Sequence, residues 1–245
     1  MRYGIITDVH GSDLGRIEAE FKARKIDQGI CLGDFDRAHI ARQMLEMQTK
    51  GDMPWAVVPG NHDYSHINRE EIFSGTMTRQ GIDSQMMWEE WEKPENRDVR
   101  EYVQGMLDSK SKIENAARRI RLSLENDSNH EVVVMHGAYE GTYVWKPADL
   151  WNRLESEADH YKNFEAMEKK GYSMMIRGHD HAPEYTYKDP EKGIVSYSGG
   201  NSEKFRLFKR RTHTINPGAY FNGNFAIIDT DAPGEDCPIV EYHKL

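Results

Sequence analysis

Five short stretches of this chain place carboxylate, carboxamide or imidazole groups directly after apolar runs: Asp8 with His10, Asp34, Asn61 with His62, His136, and His179 with His181. The set offers carboxylate, amide and imidazole donors and no thiolate. Mixed nitrogen and oxygen ligation suits Mn, Fe, Zn or Ni better than Mg or Ca. Asp8, His10, Asp34, Asn61, His136, His179 and His181 are too many ligands for one ordinary site. They suffice for two cations about 3.5–4 Å apart if one carboxylate bridges them. Two divalent ions outweigh the charges of Asp8 and Asp34, so the net positive centre would attract an anionic phosphate ester. A water shared by such a pair has its pKa lowered toward ~7 and can serve as the nucleophile.

The elements that must position these groups are legible in the hydrophobic pattern. Strands are expected at Arg2–Thr7, Gly29–Leu32 and Trp55–Val58, each ending at one of the polar groups. Helices fall between them, one with Leu14, Ile17 and Phe21 on a face and Ser12 as N-cap, one with Ile40, Met44 and Leu45. This β-α-β-α-β order predicts parallel strands with right-handed crossovers, whose carboxyl ends share one rim. Further strands are expected at Glu131–Met135 before His136 and at Tyr172–Arg177 before Gly178-His179. A helix over Leu150–Lys170 should end at Gly171. From Gly193 onward the texture is β: Gly193–Ser198, Phe205–Ile215, Asn224–Asp229 and Pro238–His243.

Residues 64–130 read as a mostly helical insertion within a single 1–245 domain. Val99, Tyr102, Val103, Met106 and Leu107 have amphipathic spacing, and Ile113, Ala116, Ala117 and Ile120 continue it. Met86, Met87, Trp88 and Trp91 form an apolar cluster read as cap packing, or as a lid over the site. Lys204, Arg206, Lys209, Arg210 and Arg211 read as a solvated basic face, with contact to a polyphosphate as the alternative.

Composition narrows the function. There are 32 basic against 41 acidic side chains, a net charge of −9. Such a chain makes a poor general binder of nucleic-acid backbone. No apolar run approaches the ~18 residues of a membrane span, and the opening MRYGIITDVHG does not read as a signal peptide. Two cysteines, Cys31 and Cys237, cannot build a disulfide framework and fit a reducing cytoplasm; Cys31 reads as a buried thiol.

The motifs DVH (8–10), GD (33–34), GNHD (60–63), HG (136–137) and GHDH (178–181) together resemble the calcineurin-like metallophosphoesterase superfamily. INPGAY (215–220), followed by GNFAIID, is similar to the C-terminal end of its small bacterial and archaeal phosphodiesterase members. The resemblance implies a four-layer αββα sandwich of two mixed sheets with flanking helices. It implies that Asp8, His10 and His181 hold one metal, that Asn61, His136 and His179 hold the other, and that Asp34 bridges. Two divalent transition metals are implied, with manganese the leading candidate. Asn61 and His62 would bind the substrate phosphate, His62 protonating the leaving oxygen.

One motif departs from the family pattern: GDFDR is one residue shorter than G-D-x-x-D-R, which puts Asp36 and Arg37 out of register. Asp63 reads as a turn cap and Asp180 as a solvent-facing residue, with orientation of a neighbouring ligand histidine as its alternative. The expected function is phosphoester hydrolysis by a dinuclear-metal-activated hydroxide, diesters ahead of monoesters, on a small phosphoester or nucleotide. The alternatives are a dinucleoside polyphosphate hydrolase and, in another class, a non-catalytic metal-stabilised scaffold.

Overall fold

The computed structural model describes residues 1–67, 89–108, 118–122, 130–141, 150, 152–208, 211–232 and 238–245. The first sheet opens with β1 (Arg2–Ile6), β2 (Gln28–Cys31) and β3 (Trp55–Val57), which run parallel as the pattern predicts. Helices α1 (Gly15–Ala23) and α2 (Ala38–Lys50) make the crossovers. Ser12 does not cap α1. Leu14 holds the N-cap position without a side-chain cap, and the Asp13 carboxylate just before it accepts from the Gly15 N–H at 2.9 Å.

Each strand alternates its side chains between faces, and that alternation builds the layers. On β1, Ile6 faces α1 and α2 in a cluster with Cys31, Val57, Ile17, Phe21 and Met44. Tyr3 and Ile5 face the other way, into a core shared with the second sheet. Helix α3 (Asn61–Ile67) follows β3, and α4 (Arg97–Asp108) buries Val99, Val103 and Met106, as its spacing predicts. Trp91 joins the same core, whereas Met86, Met87 and Trp88 lie outside the described residues.

The second sheet contains β4 (Arg118–Leu122), β5 (His130–Val134), β6 (Met174–Ile176), β7 (Glu184–Asp189), β8 (Gly193–Ser198) and β10 (His213–Asn216). Their order is β4-β5-β6-β10-β7-β8. On β5, Val132 and Val134 enter the inter-sheet core. Val133 meets Phe164 and Met167 of α5 (Glu157–Lys169) on the outside. Helix, sheet, sheet and helix thus stack in the expected four-layer order. The first sheet is completed by β9 (Lys204–Arg206), β11 (Asn224–Asp229) and β12 (Ile239–Lys244), in the order β3-β2-β1-β11-β12-β9. Both sheets are mixed.

Three expectations are corrected. Ile120 lies in β4, paired antiparallel with β5, so the helical reading of the insertion does not extend to its end; residues 113, 116 and 117 lie outside the described set. The stretch Phe205–Ile215 is not one strand, because β9 and β10 belong to different sheets. Helix α5 begins at Glu157 rather than Leu150. Ser156 and Asp159 form a reciprocal capping box that fixes the start, and Gly171 at φ 79° ends it. Among the described residues no helix is long and apolar enough to cross a membrane. Cys31 is buried, and burial pushes its thiol pKa up, as for an inert core group; Cys237 lies outside the described residues.

Candidate metal centre

The loops that leave β1, β2, β3, β5 and β6 meet at one rim. The β1 loop runs beside the β2 loop, with Val9 donating to Gly33 O (3.3 Å), His10 to Asp34 O (2.7 Å) and Gly11 to Phe35 O (3.3 Å). The buried Asp63 carboxylate ties the β3 loop to the β2 loop. It accepts from the amides of Asp34 (2.8 Å), Phe35 (3.0 Å) and Gly60 (2.8 Å). Its role is therefore a cross-loop brace rather than a cap of the following turn. Burial and the Asp34 charge push its pKa up to about 6, while the three amides pull the other way. Gly60 permits the close approach, since a Cβ there would overlap the Asp34 carboxylate.

The two sheets are linked through candidate ligand residues. The His179 amide donates to both Asp8 oxygens (3.1 and 3.2 Å), and His136 Nδ1 donates to Leu32 O (2.6 Å). Three interlocking groups result: Asp8, His10 and His181; Asp8, Asp34 and His136; and His10, Asp34 and His62. Within each, the candidate ligand atoms lie within 4.8 Å of one another. His181 Nε2 is 3.3 Å from Asp8 Oδ1 and 3.1 Å from His10 Nε2. His136 Nε2 is 3.2 Å from Asp34 Oδ2.

Asn61 begins α3 and is buried, with its Oδ1 unpartnered. His179 stands somewhat apart. Its ring centroid is 5.3 Å from that of His136, it belongs to none of the three groups, and its Nε2 accepts from Arg153 Nε at 3.3 Å.

The donor set fits metal cations. His136 Nδ1–H is spent on Leu32, so Nε2 presents a lone pair, and that atom is buried without a hydrogen-bond partner, like Asn61 Oδ1. Two buried carboxylates and a lone pair this close need a cation between them, either protons or a metal. The titration reflects it. Burial pulls the His136 pKa down, but the charges of Asp34 and Asp8 prevail and raise it to about 9. Asp34 is held well below the usual carboxylate range: burial opposes this, and the His136 and His62 imidazoles outweigh it. Burial and the neighbouring His136 lower His179 to about 4, leaving it neutral at pH 7.

His62, half-open to solvent at 39% side-chain exposure, sits beside this cluster. Its amide donates to Asp34 Oδ1 (2.9 Å) and its Nδ1 meets Asp36 Oδ1 at 2.6 Å. Burial would lower its pKa, but the charges of Asp34 and Asp36 and the Asp36 hydrogen bond raise it to about 10. The other Asp36 oxygen meets His10 Nδ1 at 3.0 Å. Asp36 therefore orients two rings at once, which the shortened motif concealed. Left-handed turns at Asp34 (φ 61°) and Asp36 (φ 55°) fold GDFDR back on itself.

Arg37 pairs with Glu90 at 3.3 Å. Asp180 pairs with the fully buried Arg177, which also donates to Glu184 at 2.7 Å, so the solvent-facing reading of Asp180 is corrected: it braces the turn between His179 and His181. Arg153 was not anticipated, since nothing in its sequence neighbourhood distinguishes it from a surface arginine. In the basic run, Lys204 pairs with Glu241, and Arg211 with Asp189 at 2.9 Å, as a balanced surface requires.

Residues 1–231 match the family model described as a calcineurin-like phosphoesterase superfamily domain. No individually curated protein sequence is significantly similar to the chain. Among solved structures, a metallophosphoesterase from Sphaerobacter thermophilus superposes with a TM-score of 0.66 at 19% identity, covering 100% of this chain and 88% of that one, and so shares the fold. A Thermotoga maritima protein solved by NMR aligns over 100% of this chain and 99% of its own at 17% identity, with a TM-score of 0.43.

Proposed function

The chain belongs to the calcineurin-like phosphoesterase superfamily, for which metal-dependent phosphoester hydrolysis at a dinuclear centre is the implied activity, and from that membership we propose a manganese-dependent hydrolase of small phosphodiesters. The supporting observation is the buried, unpartnered Nε2 of His136, 3.2 Å from Asp34 and 3.7 Å from Asp8, together with the buried, unpartnered Oδ1 of Asn61. In this reading Asp8, His10 and His181 would hold one cation, Asn61, His136 and His179 would hold the second, and Asp34 would contribute to both. Bound there, the cations supply Lewis acidity toward a phosphoryl oxygen and an activated water.

The remaining work falls to the chain's own groups. His10 and His62 each give Nδ1–H to Asp36, so both rings turn Nε2 away from that carboxylate. His62 Nε2 then carries the proton passed to the leaving oxygen. Its raised pKa keeps that proton in place at neutral pH, and nearby cations would offset the Asp34 charge and bring the pKa closer to neutrality. Arg153, exposed at the mouth and touching His179, offers a guanidinium to the phosphate. Arg37, taken up by Glu90, adds no second guanidinium for a dianionic monoester, which favours the monoanionic diester.

Comparing bis-p-nitrophenyl phosphate with p-nitrophenyl phosphate in Mn²⁺, and again after chelation, tests this reading. Faster turnover of the diester, abolished by chelator and restored by Mn²⁺, is expected. Asp34→Asn should lose metal and turnover together. Absence of metal-dependent hydrolysis of either ester with Mn²⁺, Fe²⁺ or Zn²⁺ would leave the scaffold reading in its place.

A further inference from the structure

Phe221 is the anomaly at the rim. It follows β10 in a short 3₁₀ turn (Tyr220–Asn222) and is 42% exposed, one of few large apolar side chains left in water among the described residues. It is not at the periphery of the site. Its ring lies 5.2 Å from that of His10 and 5.3 Å from that of His181, nearly perpendicular to both, at 78° and 83°. The backbone fixes it there. The Tyr220 amide donates to Thr7 O (2.8 Å) and the Phe221 amide to Asp8 O (3.4 Å), so the turn is laced to the end of β1 that carries Asp8 and His10. The buried Tyr220 ring anchors the same turn, its hydroxyl donating to Asp13 O at 2.8 Å.

An apolar ring that contributes little to the core, yet is held rigidly against two candidate ligands, has a surface suited to a planar group on a bound substrate. We propose that Phe221 is a specificity-determining residue, and that the preferred substrates are phosphoesters carrying an aromatic substituent, an aryl group or a nucleobase, which packs on Phe221 while the phosphate sits over the metal centre. This rests on the phosphoesterase reading above and adds the organic half of the substrate. The polar rim contacts anchor the phosphate. Phe221 then discriminates between esters by what else they carry. Because every base and aryl ring has a π-face, the selection is by class rather than by identity.

Phenylphosphonate and methylphosphonate share a phosphonate head that the enzyme cannot hydrolyse, and they differ in the ring. Their binding to the full-length Mn²⁺-loaded protein, measured by isothermal titration calorimetry, isolates the ring's contribution without turnover. In the native protein phenylphosphonate should bind about tenfold tighter. Phe221→Ala should remove most of that advantage and leave methylphosphonate and Mn²⁺ affinities unchanged, and Phe221→Trp should retain it. Equal affinity of the two phosphonates in the native protein would overturn the proposal while leaving the phosphoesterase reading intact. So would a Phe221→Ala variant that weakens both phosphonates alike or loses Mn²⁺ affinity, since the ring would then merely support His10 and His181. If neither phosphonate binds, this proposal is overturned, while the phosphoesterase reading stands or falls on the diester hydrolysis test above.

Discussion

Replacing Asp36 with Asn perturbs two imidazoles through one side chain. Its Oδ1 lies 2.6 Å from His62 Nδ1 and its Oδ2 lies 3.0 Å from His10 Nδ1. A carboxylate accepts from both rings, whereas a carboxamide has one acceptor oxygen and an NH₂ donor. The shorter contact should keep the oxygen on His62, so the NH₂ faces His10 Nδ1. That ring can accept only by moving its proton to Nε2, the atom turned toward Asp8 and Asp34. A hydrogen bond to a charged group contributes about 1.5–3 kcal/mol, and losing the partner of a metal-ligating imidazole lowers affinity ~10–100-fold. Mn²⁺ affinity, read by calorimetry, should fall by that factor, with the isosteric side chain preserving packing.

The same change removes an anion that holds the His62 proton. His62 is raised by Asp34 and Asp36, so removing one charge lowers its pKa, and the basic limb of the kcat/KM profile moves to lower pH. Unchanged Mn²⁺ affinity together with an unmoved basic limb would refute the assignment of Asp36 as the shared orienting group.

Three further outcomes follow from the same geometry. His62→Gln should keep Mn²⁺ affinity within a few-fold and lose about 10²–10⁴ in kcat; full activity would remove His62 from the acid role. Gly60→Ala should lower both thermal stability and Mn²⁺ affinity, because the added Cβ displaces the Asp34 carboxylate; a wild-type melting curve would contradict the close approach. Mn²⁺ affinity should rise from pH 6 to pH 9, since the pKa of His136 is raised to about 9 and that of His10 is raised as well, so metal must displace protons below them. Proton release shows as a buffer-dependent heat in calorimetry, and a pH-independent affinity would count against those two residues as ligands.

The parallel β1-β2-β3 unit was legible because its strands are short apolar runs, each stopped by a polar group and separated by amphipathic helices. The sandwich was not legible from periodicity alone. Val132 and Val133 look equivalent in sequence, yet one enters the inter-sheet core and the other packs on α5. Strand β7 escaped notice because EYTYKD reads as polar, although Tyr185 and Tyr187 are buried against the first sheet's side chains. Ile120 kept helical spacing with its neighbours, and cross-strand pairing with β5 overrode it. In the site, residue types were readable and couplings were not. Asp36 was discounted for being one residue short, and no spacing rule indicates that Phe35 is buried between two left-handed turns that bring the carboxylate back.

Those left-handed turns recur in three of the five candidate ligand loops, the ones that leave β1, β2 and β6. Asp8 (φ 51°), His10 (φ 44°), Asp34 (φ 61°), Asp36 (φ 55°), His179 (φ 72°) and His181 (φ 60°) all adopt them; among the other described non-glycine residues only Lys25 and Ser202 do. Such a backbone costs of order 1–3 kcal/mol at each position, and glycine would relieve it at the expense of the side chain the centre needs. Aspartate and histidine are among the residues that tolerate the region best, so the site's chemistry and its backbone select the same residue types. What opposes the strain is visible in the loops themselves: the Val9–Gly11 ladder onto Gly33–Phe35, the Asp63 brace, and the His179 amide on Asp8. These bonds join backbone to backbone, or backbone to a side chain outside the ring-nitrogen set, so they hold without a cation. The donors are therefore aimed in advance, and metal binding need not supply the free energy to fold the loops.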